Sequence, residues 1–112
     1  MEQLCPRFEK AMQLFGKRWV GLILYELLND AKRFSEIEAA LPISGRLLSE
    51  RLKMLEQEGL VERKVYSEFP VRIEYVLTEK GAALQPAIQN IRQWSEHWIT
   101  QEEVDETIAN KE

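Results

Sequence analysis

The sequence is short of the residues that most often carry chemistry. It has one cysteine, Cys5, and one histidine, His97. No internal disulfide can form, and no Cys/His zinc site can be assembled. There is no Gly-x-Ser-x-Gly elbow, no glycine-rich phosphate loop among the five glycines, and no carboxylate–histidine cluster. An enzyme is not expected, and neither catalytic residues, a metal nor a cofactor is expected. Long apolar runs are also missing. The longest, Trp19 to Tyr25, falls well short of the roughly 20 residues that span a bilayer. No membrane partner is expected. The opening residues lack a basic n-region, so a secretory signal is not expected, and the lone cysteine fits a reducing, cytoplasmic compartment. Finally, the chain lacks net positive charge: its balance is −4.

What is present is the composition of one globular domain: 112 residues, 45% hydrophobic and 30% charged. The acidic excess is local. Residues 101–112 carry five acids against one lysine, which leaves 14 bases and 14 acids in residues 1–100. A neutral domain can bind DNA if its cations are gathered on one face. Residues 1–100 are therefore expected to form the domain, and residues 101–112 a solvated, frayed acidic tail.

Hydrophobic spacing places the elements. Pro6 suits the first position of a helix bearing Phe8, Met12 and Phe15, which stops near Gly16. From Arg18 to Leu28 the chain is apolar on most sides, as in a central buried helix. Phe34, Ile37 and Leu41 mark a short third helix ending before Pro42. Ser44 is placed to cap a fourth, which buries Leu48, Leu52 and Leu55 and stops at Gly59. The period then drops to two. Leu60–Tyr66 and Val71–Leu77 form a hairpin across Ser67 to Pro70. Thr78 caps a last helix with an apolar row of Leu84, Ile88, Ile91, Trp94 and Trp98, running to about Thr100, and Pro86 should kink or break it.

This order predicts an α+β, mostly α fold: a winged helix-turn-helix. The tight turn is Leu41-Pro42-Ile43-Ser44. The helix after it should enter a DNA major groove. Its outward residues are Arg46, Ser49 (or Glu50) and Lys53, with Arg46 placed to fork onto a guanine and Lys53 to meet phosphate. Lys32 and Arg33 could touch the backbone, and Lys64 and Arg72 flank the wing. Glu68 at the wing tip argues against a wing that dives into the minor groove. On charge alone, a winged-helix module used only for protein contact stays open.

The residues resemble a known family. Cys5-Pro6, Gly16-Lys17-Arg18-Trp19, Arg33-Phe34-Ser35-Glu36-Ile37, Leu48 to Glu56, Gly59 to Arg63, Pro70 to Tyr75 and Leu77 to Gly81 are similar to the HxlR-type winged-helix transcriptional regulators, relatives of the MarR group. Within that family the chain looks nearest to the YodB-like repressors that sense quinones and diamide. The resemblance implies double-stranded operator DNA as partner, with contacts that add Lys17 and Ser44 to the residues above. It also implies a homodimer and a thiol-reactive small molecule or low-molecular-weight thiol meeting Cys5. The turn is one residue shorter than in many members. The absence of further cysteines excludes an intramolecular thiol switch.

Cys5 precedes the helix that Pro6 opens, so the positive dipole end, Arg7 and Lys10 should favour its thiolate. The alternative is a small apolar residue under the first helix, in a regulator without redox sensing. The apolar row on the last helix, with Phe8 and Met12 on the first, is expected to form the dimer interface. His97 is expected to be a surface or interface residue.

Overall fold

Pro6 sets the backbone angle of a first helical turn and needs no hydrogen-bond acceptor there, which suits it to the start of α1 (Pro6–Gly16). The computed structural model describes residues 3–109. The chain turns sharply after α1 through Lys17 and Arg18 to Trp19, whose φ of +79° is left-handed. That conformation costs a bulky residue about 1–2 kcal/mol. The buried indole offsets the cost, since Trp19 anchors one end of the core. Helix α2 (Val20–Glu26) follows and buries Val20, Ile23 and Leu24. It is shorter than the span Arg18–Leu28 expected from its apolar residues, because Trp19 leaves helical angles and Leu27 closes the last turn. Nor is it buried all round: Leu22 is exposed.

Helix α3 (Phe34–Ala40) and helix α4 (Gly45–Gln57) meet across the tight turn. Glu36 returns its carboxylate to the Arg33 N–H at 2.8 Å, while Ser44 Oγ accepts from Leu47 N–H at 3.1 Å and caps α4 as expected. Ile37, Ile43, Leu48, Leu52 and Leu55 are buried between the two helices and α2. Helix α4 ends with Gly59 at φ +75°. Gly59 N–H reaches the Glu56 carbonyl at 3.0 Å and Leu60 N–H the Leu55 carbonyl at 2.9 Å, the paired bonds of a glycine-terminated helix.

Strands β1 (Val61–Tyr66) and β2 (Arg72–Leu77) pair antiparallel, Val61 opposite Leu77 and Tyr66 opposite Arg72. The hairpin is anchored at its base, where Val61 and Tyr75 are buried. Lys32 adds a short third edge: its N–H and carbonyl exchange hydrogen bonds with Tyr75 at 2.9 and 2.7 Å. The segment before α3 is thereby fixed to the wing.

The expected single last helix is two. Thr78 caps α5 (Glu79–Ala82), accepting from Gly81 N–H at 3.1 Å, and donates to the Gly59 carbonyl at 2.6 Å. After a break, Pro86 stands in the first turn of α6 (Gln85–Trp98), where a missing N–H costs nothing. The acidic segment is not frayed over its described part. Residues Gln101–Ala109 form α7. Thr100 Oγ1 accepts from Glu103 N–H at 3.2 Å while the Glu103 carboxylate accepts from Thr100 N–H at 2.9 Å, a reciprocal cap. Glu102 and Glu103 also complement the positive end of that helix. The rest of the expected tail, 110–112, lies outside the described residues.

Candidate nucleic-acid interface

Helix α4 presents two faces. Leu48, Leu52 and Leu55 turn inward, so the residues between them turn outward. Arg46, Ser49 and Lys53 are exposed on that outer surface, as their spacing predicts. Arg46 is almost fully exposed, with only Glu50, one turn on, within ion-pair range at 3.9 Å. Such an exposed pair is weak and leaves the guanidinium free to exchange its carboxylate for a base edge. Gly45 opens the helix where α3 comes close: a Cβ there would lie 2.7 Å from a Glu38 carboxylate oxygen. Lys17 and Arg33 are exposed, Lys32 is half-buried, and Lys64 is exposed on β1 opposite Glu74.

Arg72, expected beside Lys64 as a wing cation, is occupied within the wing. Its two terminal nitrogens donate to Glu68 and Glu74, each at 3.0 Å. Its guanidinium lies 4.0 Å from the centre of the Tyr66 ring. The hydrogen bond to Glu68, and then the nearby charges of Glu68 and Glu74, hold the Arg72 pKa above its ordinary value. Two carboxylates and the Tyr66 ring thus hold the arginine within the wing, beside the turn from Ser67 to Pro70. Glu68 is thus paired at the tip, where Phe69 stands fully exposed. The sequence shows both charges but not that they are paired with each other.

At the other end, Cys5 occupies the cap position of α1 and is exposed. Its carbonyl accepts from Glu9 N–H at 2.9 Å, but its sulfur caps nothing. It is not the small buried residue of the alternative reading. Of the two nearby cations, Lys10 lies 4.0 Å from Glu58 at the end of α4. A cavity of about 470 Å³ separates the start of α1 from Leu60 and Leu84.

The residues expected at a dimer interface divide. Leu84 packs against the core and Ile88 is buried in it, so both belong to the chain's own interior. Phe8, Met12, Ile91, Trp94 and Trp98 are open, with Trp94 57% and Trp98 63% exposed. Leu22 and Ile91 border an apolar cavity of about 420 Å³ between α2 and α6, at whose rim Arg92 donates to the Tyr25 hydroxyl. His97 is exposed and meets the Trp98 ring edge-on.

Comparison with known proteins fits this geometry. A family model described as HxlR-like helix-turn-helix matches residues 14–103. The chain is 61% identical over 98 residues to the HTH-type transcriptional regulator YvaP of Bacillus subtilis, covering 87% of this chain and 91% of that relative. It is 46% identical over 110 residues to the HTH-type transcriptional regulator YodB of the same organism, covering 97% and 96%. The solved structure of the reduced form of YodB superposes with a TM-score of 0.77 over 87% of this chain and 96% of that one, at 48% identity. YodB has also been solved diamide-treated and quinone-bound, each with a TM-score of 0.72.

Proposed function

This chain is a member of the HxlR-like helix-turn-helix family of transcriptional regulators, not of an enzyme family, and we propose that it is a homodimeric repressor released from its operator when Cys5 is modified. The observation that carries the reading is the place of Cys5: the chain's one thiol, exposed, at the head of a helix none of whose residues is buried. An adduct there is sterically allowed, and it would bear on a helix that rests on the core through the half-buried Leu14 and Phe15 near its far end.

The DNA-reading surface in this proposal is the outer face of α4. Arg46 reads a base edge, Ser49 stands beside it, and Lys53 meets phosphate. Ser44 caps the helix at its DNA end, and Lys17, Lys32, Arg33 and Lys64 supply backbone contacts around it. Arg72 acts through the shape of the wing. One chain offers a single recognition helix. Two related by a twofold axis reach half-sites about 34 Å apart, or a multiple of that spacing. Phe8, Met12, Ile91, Trp94 and Trp98 supply the interface.

The reactants at Cys5 are electrophiles and oxidants of the kinds in the YodB structures, a quinone or diamide. With one cysteine per chain, the products are a thioether adduct, a mixed disulfide with a small thiol, or a disulfide between subunits. A shift of α1 against its partner would change the half-site spacing and unseat a recognition helix while each domain stays folded. The test is a gel shift on the DNA upstream of the protein's own gene, with and without diamide. Retardation lost on oxidation and restored by reductant supports the reading. Retardation indifferent to diamide rejects it.

A further inference from the structure

Helix α1 buries no residue of its own. Its covalent route to the DNA-binding body is the elbow Lys17-Arg18-Trp19. At its near side, Gly16 closes α1 with open space where a Cβ would stand: beyond its chain neighbours and the helix's own backbone, no described atom lies within 4 Å. At its far side the elbow is fixed: Trp19 is buried in its left-handed conformation, and the Arg18 guanidinium lies 4.6 Å from the centre of its ring. A residue held in such a conformation persists only where its surroundings over-determine it.

One of those surroundings is the recognition helix. Arg51 Nε donates to the Arg18 carbonyl at 3.0 Å, across 33 residues of sequence. Arg51 is half-buried, three residues after Leu48 and four before Leu55, on the flank of the inward row and away from the outer face that carries Arg46 and Lys53. The guanidinium suits this task because Nε lies in a rigid plane close to the stem, so its bond fixes the side chain's direction as well as its reach. A lysine has a single flexible ammonium and no donor at that point.

We infer that Arg51 is a positioning residue for DNA reading: its bond to the Arg18 carbonyl fixes the roll of α4 against the elbow that carries α1. A change at the elbow is thus passed to the face bearing Arg46, although neither Arg51 nor Arg18 needs to touch a base. The inference rests on α4 being the helix that reads the operator.

The test compares wild type with Arg51→Met and Arg51→Lys on the upstream operator and on a random duplex of equal length, across a salt series. Both variants should lose operator affinity by about tenfold, the scale of one directed hydrogen bond. Random-duplex affinity and the slope of log K against log salt should stay at wild-type values. Backbone amide exchange should quicken at Arg18–Val20 and in the first turn of α4. Three results overturn the inference. One is a lysine variant that behaves as wild type while methionine weakens both duplexes and flattens the slope by about 0.9, the mark of a phosphate contact. Another is wild-type operator affinity in both variants. The third is unaltered exchange at the elbow. If the methionine variant does not fold, the lysine variant carries the comparison. The exchange measurement needs no DNA, so an α4 that does not read the operator would be told apart from a failed tie.

Discussion

At the scale of single residues, the placement of charge matters more than its sum. Arg46 and Arg72 are both arginines near the expected DNA surface, but only Arg46 is free to meet it. Arg72 is bonded to Glu68 and Glu74 and covers Tyr66. The two carboxylates hold its pKa above the ordinary value, so the guanidinium stays charged through the physiological range. A different residue governs the joint behind the wing. Gly81 in α5 lies so close to the residue before β1 that a Cβ would sit 2.1 Å from the Leu60 carbonyl oxygen. Neither backbone can yield without disturbing the Thr78 cap. Gly81→Ala should therefore lower stability by about 1–3 kcal/mol, as overpacking does, measured by urea unfolding. An unchanged midpoint would show that the joint is slack.

At the scale of elements, the proposed function gives α4 two jobs on two faces, and substitutions should separate them. Arg46→Ala should weaken operator binding by about 1–3 kcal/mol and leave random duplex nearly unaffected. Lys53→Ala should weaken both and flatten the salt slope. An unchanged specific-to-random ratio in the Arg46→Ala protein would move base reading to a neighbour such as Ser49. Much of this element was legible beforehand. The leucine row, Ser44 and Gly59 define α4, and the outer face follows by subtraction. The hairpin was legible from its change of period. Other features were not, for identifiable reasons. Arg51 escapes a sequence reading because its partner is a backbone carbonyl, which no side-chain pattern reveals. The paired Glu68 and Arg72 look like two independent surface charges until the hairpin brings them together. Helix α7 reads as tail because acids dominate it, though Thr100 and Glu103 already carry the spacing of a reciprocal cap. Pro86 announced a break but could not say that a separate four-residue helix precedes it.

At the scale of the whole molecule, the core is built by α2, α3, α4 and the base of the hairpin, closed by Ile88 from α6. Helix α1 and the outer half of α6 leave Phe8, Met12, Ile91, Trp94 and Trp98 open. An apolar surface of that kind calls for cover. A twofold dimer should therefore appear by light scattering at micromolar concentration, and Trp94→Glu should shift it toward monomer with loss of cooperative operator binding. A wild-type monomer would contradict the dimer. The same arrangement puts Cys5 at one end of α1 and α4 at the other side of the elbow that follows it. The most direct measurement is operator binding by wild type and Cys5→Ser, followed by fluorescence anisotropy while diamide is added. Serine can cap the helix but is not a thiolate nucleophile at neutral pH. Both proteins should bind the operator when untreated, and only wild type should be released, with recovery on reduction. Release of the Cys5→Ser protein by diamide would contradict the thiol switch.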